Sequence, residues 1–137
     1  MLTRVSFHYY RKLVERSKDF LKSAEENLEG GRYDVAALEA EISAQLLVKA
    51  LLVKLGVEPP RTHGVRTLLS RLASELELEG LGDELRAFSK KYRKELMILE
   101  DSREIGQYGL GVDEERARIS VEVCEKLHDL LGGLAEE

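Results

Sequence analysis

Cysteine, proline and tryptophan are nearly missing from this chain of 137 residues, which has one Cys, two Pro and no Trp. A lone thiol, Cys124, excludes an intrachain disulfide framework and points to an intracellular, cytoplasmic protein. With proline confined to Pro59 and Pro60, nothing interrupts long helices elsewhere. Histidine is scarce as well, with His8, His63 and His128 alone. No Cys/His spacing suggests zinc. No apolar run approaches the ~18–20 residues that cross a bilayer. Arg4, Arg11 and Lys12 interrupt the amino-terminal apolar residues, so no signal peptide is expected.

What is present is helix-forming. The chain is 43% hydrophobic and 34% charged, with Leu, Ala, Glu, Lys and Arg dominant, which excludes a disordered chain. The abundance of Glu, Lys and Arg, with few thermolabile residues, fits a thermophile source. The net charge of −5 excludes a generally basic nucleic-acid binder, but the charge is uneven. The first 22 residues hold Arg4, Arg11, Lys12, Arg16, Lys18 and Lys22 against Glu15 and Asp19. A second basic run spans Lys90 to Lys94 around Tyr92.

The apolar spacing is helical throughout and never alternates with period two for long, so the fold class expected is all-α, an antiparallel up-and-down bundle of about five helices forming one domain, residues 1–137. Leu13, Ser17, Phe20, Ala24 and Leu28 mark a first helix, closed by Gly30-Gly31. A second, from Tyr33 to Leu55, is apolar on most of its circumference and reads as the buried central helix. Gly56 stops it, and Glu58-Pro59-Pro60 forces an extended link. Thr62 is placed to cap a third helix carrying Val65, Leu68, Leu69, Leu72 and Leu76. Leu81, Leu85, Phe88, Tyr92, Leu96 and Leu99 mark a fourth. A glycine-rich loop, 106–111, precedes Asp113, the N-cap of a fifth helix with Ala117, Val121, Cys124, Leu127, Leu130 and Leu131. Apolar residues beyond these stripes, among them Val14, Leu21, Ile119 and Val123, suggest faces that a second copy covers.

Three segments in order carry a resemblance. Gly31-Arg32-Tyr33-Asp34-Val35-Ala36 opens the central helix, Val48-Lys49-Ala50-Leu51-Leu52 continues it, and Gly56-Val57-Glu58-Pro59-Pro60-Arg61-Thr62-His63 follows, with Leu68-Leu69 beyond. Together they resemble the HEPN family of small prokaryotic helical domains. That resemblance implies a homodimeric bundle, often encoded beside a minimal nucleotidyltransferase in toxin–antitoxin-like pairs. It also implies, for many members, a ribonuclease acting from a cleft at the dimer interface through an Arg, then four to six intervening residues, then a His. Here Arg103-Glu104-Ile105-Gly106-Gln107-Tyr108 keeps the Arg and places Tyr where the imidazole is expected, closer to branches of the family with an Arg–Tyr segment.

The candidate polar cleft is therefore Arg103, Tyr108 and His63. Arg supplies bidentate phosphate contacts and Tyr a hydroxyl. Metal-independent RNA cleavage needs a base of near-neutral pKa, which a phenol at about 10 is not. The structural alternative pairs Arg103 with Glu100 or Glu104 and leaves Tyr108 anchoring the loop. His63 is a base only if the fold brings it to a cleft; otherwise Thr62 and His63 orient the third helix. Arg61 and Arg66 flank a helix N-terminus that suits an anion.

Other motifs reduce to structure. Glu125 and His128 form a Glu-x-x-His pair without the second pair that a di-iron bundle requires. Gly109-Leu110-Gly111 lacks the third glycine and the strand of a dinucleotide turn. Lys90 and Lys94 read as a solvated face, and Cys124 as a small core residue. Glu41, Gln45 and Lys49 form an i, i+4 ladder on the central helix, either an intrahelical ladder or a polar strip facing an interface or ligand. No cofactor or metal is expected. Two function classes remain: a non-catalytic or weakly active HEPN module that works with a nucleotidyltransferase or binds nucleotide or RNA phosphate, and a ribonuclease toxin with a diverged site.

Overall fold

Helix follows helix because strong helix formers fill every stretch between the glycine and proline breaks. The computed structural model describes residues 4–61, 64–108 and 111–135. In chain order the helices are α1 (Arg4–Glu29), α2 (Tyr33–Lys54), α3 (Val65–Glu75), α4 (Gly82–Lys91), α5 (Arg93–Gln107) and α6 (Glu114–Ala135), with a short 3₁₀ turn, Glu77–Glu79, between α3 and α4. No strand occurs among the described residues. None of their helices is long and apolar enough to cross a membrane.

The α1–α2 hairpin is closed by Gly31 at φ 77, a conformation that costs any residue with a Cβ. As its apolar circumference requires, α2 is the central helix: it packs against α1, α3, α5 and α6. Ala36, Ala37, Ala40, Ala44 and Ala50 on it are fully buried, and their small side chains allow close approach. Leu13, Val14 and Ala24 from α1, Leu96 and Leu99 from α5, and Val121, Cys124, Leu127 and Leu131 from α6 complete the core. Two polar ties close the far end of α6: the Tyr10 hydroxyl donates to the carbonyl of Ala135, and Lys54 Nζ to that of Leu134 at 2.6 Å. A cation there also suits the negative end of the helix.

Three expectations change. The fourth helix is two, α4 and α5, broken at Tyr92 (φ −106, ψ 24). The apolar spacing runs unbroken through the kink, so periodicity alone cannot reveal it. The break lets α4 lie on α3 while α5 packs on α2 and α6. Tyr92 occupies the corner, its ring 4.7 Å from that of Phe88 and 4.8 Å from Lys126 Nζ. Second, α3 begins at Val65 with Gly64 at its N-cap position, not Thr62. Thr62 and His63 lie outside the described residues. Third, Val14 and Val123, expected to need a second copy, are buried within the single chain. Leu21 and Ile119 remain half-buried. The Asp113 cap holds: its Oδ1 accepts the amide of Arg116 at 2.8 Å.

Candidate functional site

A carboxylate in the middle of an apolar helix must find a partner or lose its charge. Glu41, on α2, is 2% exposed. Arg103 answers it from α5, its Nη1 3.3 Å from Glu41 Oε2, while Gln45 Nε2, one turn along α2, donates to Oε1. Burial raises the Glu41 pKa, and Gln45 and Arg103 oppose that rise. The Arg103 side chain is 44% exposed. It therefore bridges the buried carboxylate and the surface, with one nitrogen anchored inside.

Neither Glu100 nor Glu104 is the partner of Arg103. Glu100 turns instead to α3, where its Oε1 accepts the backbone amide of Arg66 at 2.9 Å and its Oε2 pairs with Arg66 Nε at 2.8 Å. The anion position at the start of α3 is thus filled by the protein's own carboxylate. Tyr108 is 67% exposed at the end of α5, and no hydrogen bond joins it to Arg103 among the described residues. The fold thus brings Glu41 and Gln45 to Arg103, and leaves Tyr108 to solvent. Of the expected cleft, His63 lies outside the described residues. The Glu41–Arg103 pairing went unpredicted, although its signal was present: an acid in an apolar run whose partner must come from another helix.

A second buried polar cluster joins α1, α2 and α6. The hydroxyl of Ser17 donates to the carbonyl of Ser43, and that of Ser43 to the carbonyl of Ser17, each at 2.7 Å. His128 Nε2 lies 2.8 Å from Ser43 Oγ and 3.2 Å from Ser17 Oγ. Both serine protons are committed to backbone carbonyls, so the ring must donate, which assigns the Nε2–H tautomer. Burial, helped by Lys18, lowers the His128 pKa to about 4, and the ring is neutral near pH 7. A Ser–His dyad for nucleophilic catalysis needs the opposite arrangement, with the imidazole accepting the hydroxyl proton. This cluster is therefore a structural pin. Its sequence signal was polar residues at core positions of three helices.

Further along the α1–α6 seam, Glu25 and Glu125 share a hydrogen bond, which together with burial pushes the Glu125 carboxyl up to about 7. Burial pushes the Cys124 thiol up to about 12, so it is inert as a nucleophile. No group of three or more His, Cys, Asp or Glu side chains is arranged for a metal ion among the described residues.

Fold and site together define a helical bundle with a buried acid that anchors a half-exposed arginine. The HEPN domain family matches residues 10–134, nearly the whole chain, and the protein belongs to that family. No curated protein matches it significantly, and no solved structure does.

Proposed function

We propose that this HEPN domain is a non-catalytic or weakly active homodimeric module that binds the phosphate of a nucleotide or RNA through Arg103 and works beside a nucleotidyltransferase partner. One observation carries the reading: Arg103 is fixed from below by Glu41 and Gln45 while nearly half of its side chain faces solvent. Glu41 engages Nη1, and the fork geometry of a guanidinium leaves its other edge for an oxyanion. The chemistry around Arg103 favours binding over cleavage. Of the histidines within the described residues, His128 donates its Nε2 proton to two serines, and His8 lies on α1, which does not touch α5.

The test incubates purified protein, free of metal, with a mixed RNA pool and separately with nucleotides, beside Arg103→Lys and Arg103→Ala. Absence of cleavage, with phosphate-dependent binding weakened at least tenfold in Arg103→Ala, supports the module. Cleavage by the wild type that disappears in both variants replaces it with the second reading, a diverged ribonuclease toxin. Pairing with a nucleotidyltransferase is read by co-purification with the product of an adjacent nucleotidyltransferase reading frame.

A further inference from the structure

Away from Arg103, on the far side of α2, the amino-terminal half of α1 carries positive charge on an otherwise acidic chain. Spacings of seven, seven and four residues set Arg4, Arg11, Lys18 and Lys22 in one row along the exposed side of α1, all four exposed, with one acid, Glu15, in the same row and held 3.9 Å from Lys12 Nζ. Phe7 sits in the same row between Arg4 and Arg11. Its ring is 47% exposed, and the Arg11 guanidinium carbon lies 6.0 Å from the ring centre. Arg4, Phe7, His8, Arg11, Lys12 and Glu15 line a shallow depression there. The row is about 27 Å long at 1.5 Å rise per residue, enough for several nucleotides. It ends where the seam turns acidic, at Glu25, Glu122, Glu125 and Asp129.

We infer that this face of α1 is a docking surface for single-stranded RNA, with the bases stacking on Phe7 and the phosphates running along Arg4, Arg11, Lys18 and Lys22. Solvent-facing aromatic and basic side chains in one row are what a single strand requires, since every base has a π-face and every phosphate a charge. RNA is the nucleic acid that commonly offers unpaired bases. A membrane surface fits less well: the apolar side of α1, with Leu13, Val14 and Ala24, is buried in the core, which leaves only the aromatic rings of Phe7 and Tyr9 to insert. The surface does not use Arg103, so it stands or falls apart from the proposed phosphate site.

Fluorescence polarisation with a labelled 12-nucleotide single-stranded RNA tests it in the full chain. The wild type binds with an affinity that falls steeply with salt. The triple variant R11E/K18E/K22E binds at least tenfold more weakly with a shallower salt dependence, and Phe7→Ala weakens binding about tenfold. All four positions are exposed, and circular dichroism checks that each variant stays folded. The same three-charge reversal at Lys90, Lys91 and Lys94 leaves most of the affinity. The inference is overturned if no RNA binds, if the two triple variants lose affinity equally, or if duplex RNA competes as well as the single strand. It is also overturned if the protein sediments with phosphatidylserine vesicles while ignoring RNA, or if R11E/K18E/K22E merely dissociates an oligomer in light scattering with RNA binding intact.

Discussion

Glu41 and Arg103 illustrate how one buried charge organises its surroundings. Leaving the carboxylate without its cation strands a charge that water reaches only poorly. Arg103→Ala is therefore expected to lower stability by about 2–3 kcal/mol in chemical denaturation, the half-exposed arginine placing the cost at the low end for a broken buried pair. Glu41→Gln removes the charge and leaves one acceptor oxygen for Arg103, with the Gln45 amide turned over to accept from the new NH2, and costs less. In the double variant the penalty of Arg103→Ala shrinks, and a strictly additive double variant would refute the coupling. At His128 the sign of the pH effect follows from the lowered pKa. The unfolded chain takes up a proton near pH 6.5 that the folded ring refuses until about pH 4. The stability held in the neutral ring is complete above pH 6.5 and drains away as pH falls toward 4. Imidazole NMR should show a neutral Nε2–H ring at pH 6, and a protonated one there would contradict the pin.

Helix by helix, the seams carry opposite pH behaviour. Glu125 on α6 is raised to about 7 by its hydrogen bond with Glu25 on α1. A raised carboxyl binds its proton more tightly in the folded chain. Its contribution is complete below about pH 4.5 and is lost as pH rises through 7, where the two carboxylates repel across the seam. Between pH 4.5 and 6.5 it therefore opposes the His128 effect. Glu125→Gln should raise the melting temperature at pH 8 relative to the wild type and leave it nearly unchanged at pH 4.5. A parallel shift at both pH values would show that the pair is not what titrates. The kink at Tyr92 has another origin: α4 and α5 each follow the partner that buries its stripe, and the corner is held by Phe88 and Lys126.

For the whole molecule, light scattering at micromolar concentration is expected to show a dimer, and a monomer there would remove the homodimer from the proposed function. Val14 and Val123 give it no support, being buried in one chain. The solvent-exposed apolar side chains that remain include Val35, Leu55, Leu78 and Met97.

Much of this was legible before any coordinates. The 3–4 apolar spacing, the glycine stops at Gly31 and Gly56 and the Asp113 cap are local signals, written in short windows of chain. They settled an all-α bundle with α2 at its centre. The ordered motifs from Gly31 to Leu69 likewise settled the family. Arg103 stood out in the sequence as a candidate, but its partner did not, because Glu41 lies 62 positions away and only the packing of α5 on α2 brings the two together. The same reason hid the Ser17–Ser43–His128 pin and the break at Tyr92. Sequence alone determined what each segment becomes, since propensity, capping and periodicity act within a few residues. Tertiary structure decided which buried polar groups meet and where a periodic helix bends, since those are set by desolvation and packing between segments distant in the chain.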